Sequence, residues 1–149
     1  MNKTYDNVKW ISKYDIGIDG IDKQHKEIFE LSNSFFKLTE DDSVKEFKSY
    51  VYEFNKYMAV HFKDEEVYME SIGYPELESH KKLHQKIIDL TATVIKESGS
   101  IPVMKSKMKN VVRKFFIDHI LKEDIKIKYH KNENHNVKDI EYITDESFR

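Results

Sequence analysis

Nine residues between Val44 and Ile72 constrain this chain more than any other feature. Val44, Phe47, Val51, Phe54, Met58, His61, Glu65, Tyr68 and Ile72 follow at steps of three and four without a slip. An α-helix returns that spacing to one face, and so regular a stripe marks the buried seam of a helical bundle. Ser43-Val-Lys-Glu46 offers a capping box at its start, and Gly73 before Pro75 stops it.

Three further segments read the same way. The first opens after Gly17 and runs to about Leu38, with Ile21, His25, Ile28, Ser32 and Phe35 on one face and Asp19 or Asp22 as its cap. The third starts at Pro75, a residue suited to a first turn. It carries Leu77, His80, His84, Ile87, Thr91 and Val94 before Gly99. The fourth follows Ser100 and Pro102, carries Met108, Val111, Phe115 and His119, and ends near Tyr129. Gly and Pro number only 4 and 2 among 149 residues, so long helices are favoured over a many-stranded sheet. The expected fold is all-α: an antiparallel up-down four-helix bundle in a single domain, residues 1–149. An N-terminal arm (1–18) carries Trp10 and Tyr14, the bundle takes about 19–130, and a polar, loosely ordered tail takes 131–149.

Several function classes are disfavoured at this stage. Basic and acidic residues nearly balance (25 − 27 = −2) and are mixed along the chain, which leaves no electrostatic footprint for nucleic acid or anionic lipid. No apolar run has signal-peptide or membrane-span length. With no cysteine, disulfides, Fe–S clusters, thiolate zinc sites and covalent haem attachment are excluded. The expected location is the cytoplasm.

The polar residues on the seams carry the chemistry. His61 and Glu65 interrupt an apolar stripe, and His80 and His84 interrupt the next; residues four apart share a helical face, so each pair points inward. His25 and His119 fall on the inward faces of the first and fourth segments. One inward histidine is more often a satisfied core residue than a ligand, and Glu65-Glu66 alone would pass for an acidic surface run. Five inward imidazoles on four helices are costly to bury without a strong shared partner, and a metal centre is the economical explanation. His130 and His135 lie beyond the seam and read as surface residues. A second carboxylate is expected near His119. Periodicity favours Glu123, four residues on, because Asp124 lies about 140° round an ideal helix. Asp124 would need a different line of approach or a local widening such as a π-turn.

Imidazole with carboxylate suits Zn, Fe, Cu or Ni rather than an all-oxygen Ca or Mg cage. Five histidines and two carboxylates are too many for one ion; they suit two ions sharing bridging carboxylates about 3.5–4 Å apart. The zinc-protease pattern His-Glu-x-x-His is absent. So is the Glu-x-x-His of ferritin-like di-iron oxidases: the positions three before each histidine hold Asp22, Met58, Leu77, Lys81, Phe116, Ile127 and Asn132.

The series His25 … His61-x-x-x-Glu65 … His80-x-x-x-His84 … His119-x-x-x-x-Asp124 resembles the ligand signature of the hemerythrin family. The flanks agree: Trp10, Tyr14-Asp-Ile-Gly-Ile-Asp-Gly-Ile-Asp-Lys-Gln-His25, His61-Phe-Lys-Asp-Glu65-Glu66, Gly73-Tyr-Pro75 and His119-Ile120. The resemblance covers about Trp10 to Tyr129 and selects Asp124 over Glu123. It implies two iron ions (Fe2+/Fe3+) with an oxo or hydroxo bridge, one held by His80, His84 and His119, the other by His25 and His61. Glu65 and Asp124 would bridge them, and the second iron, one ligand short, would receive O2. By offset from the ligands, Ile28, Phe62, Phe115, Phe116 and Ile120 are candidates for an apolar O2 pocket. The resemblance thus implies an O2-binding protein for carriage, storage or buffering, not an enzyme. An O2-, NO- or iron-responsive regulatory module is the alternative, and a di-iron peroxidase or oxidase ranks below both. The chain is little more than the bundle, which favours a carrier or store over a one-chain sensor. No protein partner is indicated, and monomer or homo-oligomer stays undecided.

Overall fold

The computed structural model describes residues 8–97 and 99–137, which form helices and no strand. Helix α1 spans Asp19–Phe36, α2 Val44–Ser71, α3 Leu77–Lys96, α4 Ile101–Asn110 and α5 Ile125–Val137. Between α4 and α5 the backbone stays helical but widens, with π-helical stretches at Val111–Ile117 and Ile120–Asp124.

The helix ends follow local chemistry. Ser43 Oγ accepts a hydrogen bond from the Glu46 amide at 2.9 Å, satisfying one of the free N–H groups that begin α2. Only this half of the capping box forms, because the Glu46 side chain turns to Tyr50. At the other end Gly73, with φ +64°, lets the Tyr74 amide reach back to the Met69 carbonyl at 2.9 Å. That turn uses residues 72–76, so α3 begins at Leu77 rather than at Pro75. Neither Asp19 nor Asp22 is the N-cap of α1, whose cap position is Ile18. Asp22 does a related job: its carboxylate accepts from the amides of Ile16 and Gly17, at 2.9 and 3.1 Å, fixing the approach to the helix.

Helix α1 packs on α2, α2 on α3, and α3 on the fourth helical stretch. Gln24, early in α1, meets Asp64 late in α2, while Phe35 at the end of α1 meets Phe47 and Phe54. Glu97, just past α3, pairs with Lys107 of α4, and His80 near the start of α3 meets Asp124.

The core is divided. A larger cluster holds Ile28, Phe29, Phe35, Phe47, Phe54, Met58, Phe62, Ile87, Phe116 and Ile120 among others. A smaller one holds Ile16, Ile18, Ile21, Tyr68, Met69, Tyr74 and Ile127. Each helical stretch runs from one cluster to the other, and the residues it places between them are polar: His25, His61 with Glu65, His80 with His84, and His119 with Asp124. The polar layer is therefore closed by apolar packing at both ends.

The arm is fastened to α1. Val8 exchanges hydrogen bonds with the Asn33 side chain, Trp10 Nε1 donates to Asp15 at 3.0 Å, and the rings of Trp10 and Tyr14 meet Phe29 edge-on. The expectation of a loose tail from Lys131 is corrected as far as Val137, the last described residue, which belongs to α5. Ile127 anchors that helix in the smaller cluster, and Lys131 Nζ donates to the Gly17 carbonyl at 2.9 Å. His130 is not a plain surface residue either: its Nε2 lies 3.1 Å from the Ile72 carbonyl, and its ring meets Tyr74 edge-on. The side chain of His135 and residues 138–149 lie outside the described residues.

Candidate metal centre

All seven residues singled out by their seam positions and the family resemblance are buried, and the structure brings them together. Helix α1 supplies His25, α2 His61 and Glu65, α3 His80 and His84, and the widened fourth stretch His119 and Asp124. Donor atoms of Glu65, His80, His84, His119 and Asp124 lie within 4.8 Å of one another, as do those of His25, His61 and Glu65.

The widening decides which carboxylate takes part. A π-helix repeats i to i+5, and across Ile120–Asp124 this brings Asp124 onto the face of His119. Ideal-helix spacing favoured Glu123; that residue instead faces Lys126 at 3.4 Å.

Each carboxylate divides its oxygens between two groups of histidines. Glu65 Oε1 lies 2.9 Å from His84 Nε2 and 3.3 Å from His80 Nε2, while Oε2 lies 3.5 Å from His61 Nε2 and 3.7 Å from His25 Nε2. Asp124 Oδ1 lies 2.9 Å from His80 and 3.1 Å from His119, while Oδ2 lies 3.3 Å from His25. Taken together, the pair has three imidazoles (His80, His84 and His119) on one side and two (His25 and His61) on the other.

Close as these atoms are, many are poorly aligned for hydrogen bonding. Nε2 of His25, His61 and His84, both Glu65 oxygens and Asp124 Oδ2 are buried with no hydrogen-bond partner. His80 and His119 aim Nε2 at Nε2 across 2.9 Å, which requires a proton or a cation between two lone pairs. Orphaned buried polar atoms are costly, and so many converging donors fit a bound cation. The outer ring nitrogens support this. His61 Nδ1 lies 2.7 Å from Gln24 Oε1 and His84 Nδ1 2.8 Å from Glu66 Oε2. Donating Nδ1–H to those acceptors leaves each Nε2 lone pair facing inward, as for metal-bound histidines.

Residues 16–128 match the family model described as the hemerythrin HHE cation binding domain. The chain belongs to the hemerythrin family. It is 37% identical over 116 residues to a bacteriohemerythrin of Campylobacter jejuni, covering 76% of this chain and 87% of that protein. It is 34% identical over 83 residues to the bacteriohemerythrin of Clostridium acetobutylicum, covering 53% and 64%. With the bacteriohemerythrin of Methylococcus capsulatus it shares 30% over 105 residues, covering 69% and 79%.

Of the apolar residues expected around this hemerythrin site, Ile28, Phe62, Phe116 and Ile120 are buried; the side chain of Phe115 lies outside the described residues. Phe62 stacks flat on His84, ring centroids 3.8 Å apart, so its main contact is with the three-histidine side. Phe116 meets His25 edge-on at 5.8 Å. Trp10 lies against the same imidazole at 6.2 Å, an arm residue the offset reasoning had not placed at the site. Gln24 and Glu66 were also missed. Both adjoin ligand-type residues in the sequence, but an outward Nδ1 contact leaves no mark on an apolar stripe.

Burial opposes charge on His25 and His80, yet the adjacent Asp124 and Glu65 outweigh it and raise them to about 9 and about 10. His61 goes the other way, lowered to about 3 by burial and by repulsion from His25. Burial and mutual repulsion push Glu65 and Asp124 up, but the surrounding histidines hold both well below the usual carboxylate range. Without a cation, charged His25 and His80 stabilise the fold fully below their ordinary value of 6.5. That contribution is lost as pH rises through 9 to 10. A cation needs neutral imidazoles. Loading at pH 7 should therefore release at least two protons per chain, one each from His25 and His80, with apparent affinity rising with pH up to that window. A pH-indicator titration measures this, and loading without proton release would contradict the assigned charges.

No helix among the described residues is long and apolar enough to cross a membrane.

Proposed function

We propose that this chain binds O2 reversibly at a non-haem di-iron centre, serving oxygen carriage, storage or buffering. His80, His84 and His119 would hold one iron, His25 and His61 the other, and Glu65 and Asp124 would bridge them. The observation that carries this reading is the division of both buried carboxylates: one oxygen of each lies among His80, His84 and His119, and the other toward His25, with His61 also beside Glu65. The same reading takes the chain as a single domain and its helices as an antiparallel four-helix bundle, supported by the opposed contacts of α1 with α2 and of α3 with the fourth stretch.

When bound, two irons with an oxo or hydroxo bridge supply the two electrons that O2 binding takes up and O2 release returns. The protein's residues do the rest. Five neutral nitrogens against two carboxylates keep the total charge low: two Fe(II), two carboxylates and one hydroxide sum to +1, tolerable in an apolar interior from which water is kept out. The two-histidine side would be one ligand short, and Trp10 and Phe116 present ring surface to His25 there. An apolar wall excludes the water and protons that would turn reversible binding into oxidation. The sequence has no Glu-x-x-His motif of the ferritin-like oxidases, which supports a binding protein over an oxidase. A cytoplasmic location is part of the proposal and rests on composition alone.

The test is optical. Reduced, iron-loaded protein admitted to air should develop a visible charge-transfer band and lose it under vacuum, over repeated cycles. Irreversible bleaching in the first cycle would contradict a carrier and point to a sensor or a catalyst.

A further inference from the structure

The two sides of the cluster differ beyond their histidine count. On the three-histidine side, His84 Nδ1 meets a carboxylate, Glu66 Oε2, at 2.8 Å; Glu66 is 19% exposed. On the two-histidine side, His61 Nδ1 meets an amide, Gln24 Oε1, at 2.7 Å, and His25 Nδ1 is buried with no hydrogen-bond partner. The Gln24 amide cannot be turned round, because its Nε2 donates to Asp64 Oδ2 at 2.9 Å. Asp64 thus delivers Oε1, not NH2, to His61.

A carboxylate is the stronger acceptor for an imidazole N–H. It draws the ring toward imidazolate and makes the opposite nitrogen a better donor to a metal. An amide does this weakly, and an unpartnered Nδ1 not at all. Better donors stabilise the ferric state; poorer ones leave the ion ferrous.

We propose that Glu66 and Gln24 are positioning residues that make the two iron sites electronically unequal, with Glu66 favouring Fe(III) at the His84 side and the Asp64-oriented Gln24 favouring Fe(II) at the His61 side. The proposal rests on the di-iron reading above and adds to it a direction: the two-histidine site is the more easily reduced of the two.

The test inverts the pattern with isosteric exchanges in the full chain. Glu66→Gln replaces the carboxylate by an amide. Gln24→Glu is made together with Asp64→Asn, so that the new carboxylate meets an amide, and is compared with Asp64→Asn alone. The first readout is free of iron and of O2: 15N–1H NMR of the Zn(II)-loaded protein. The His84 Nδ1 proton should lie further downfield than that of His61. Glu66→Gln should bring His84 upfield, and Gln24→Glu should move His61 downfield. The second readout is redox titration of the iron-loaded protein. Glu66→Gln should shift the oxidation equilibrium by about tenfold toward Fe(II) and Gln24→Glu by a similar factor toward Fe(III), each ~59 mV for a one-electron couple. In the half-oxidised protein, Mössbauer spectra should place Fe(III) at the His84 side in the wild type and at the His61 side when all three exchanges are combined. Potentials that stay fixed, or move the same way in both variants, would overturn the proposal. So would a Zn(II) form whose Nδ1 signals ignore the exchanges. Both readouts keep their meaning if O2 proves not to bind reversibly, so failure of the functional reading and failure of this one are separable.

Discussion

His80→Ala should strip the protein of at least one of the two irons proposed for it. The side chain stands at the junction of the site, its Nε2 2.9 Å from Asp124 Oδ1, 2.9 Å from His119 Nε2 and 3.3 Å from Glu65 Oε1. Its ring also meets His84 and Tyr74 edge-on. No neighbour can replace it, because His84 and His119 already point Nε2 into the same space. Alanine here also leaves two buried carboxylates short of a partner, and breaking such a buried set costs roughly 3–5 kcal/mol in the metal-free fold. Iron analysis after desalting checks the first effect and urea unfolding of metal-free protein the second. Normal content of both irons would show that His80 is not a ligand.

Phe35→Ala should be the most damaging change outside the site. The ring is fully buried, with Phe36, Phe47 and Phe54 meeting it edge-on at centroid distances of 4.7, 5.7 and 5.4 Å. It joins the end of α1 to the first half of α2, and a cavity of that size costs about 3–5 kcal/mol. Iron bound per folded chain should be unchanged, since the polar layer is separated from Phe35 by Ile28, Phe29 and Met58 in the same cluster. A loss below about 1 kcal/mol in urea unfolding would mean that this end of the core is loosely packed.

The helices were legible because their seams step by three and four without interruption; every stripe residue from Phe47 to Tyr68 is buried. The site was legible for the same reason, as polar residues on a seam need an explanation that surface ones do not. Spacing failed at Asp124, because a π-helical widening at Ile120–Asp124 depends on tertiary demand and no ideal-helix periodicity encodes it. Only the family resemblance supplied that residue. Gln24, Glu66 and Trp10 were not assigned to the site because they act from outside the stripes, two through Nδ1 atoms and one from an arm packed over His25. The extent of α5 was missed because its outer turns are polar; Ile127 and the bond from Lys131 to Gly17 hold it in place.

The central claim is that one polar layer between two apolar cores holds a paired metal centre. Iron analysis with X-ray absorption on the anaerobically reconstituted protein tests it most directly. The expected result is two irons per chain, each with nitrogen and oxygen neighbours and a second iron about 3.5 Å away. One iron per chain, or two with no metal–metal scattering, would contradict it.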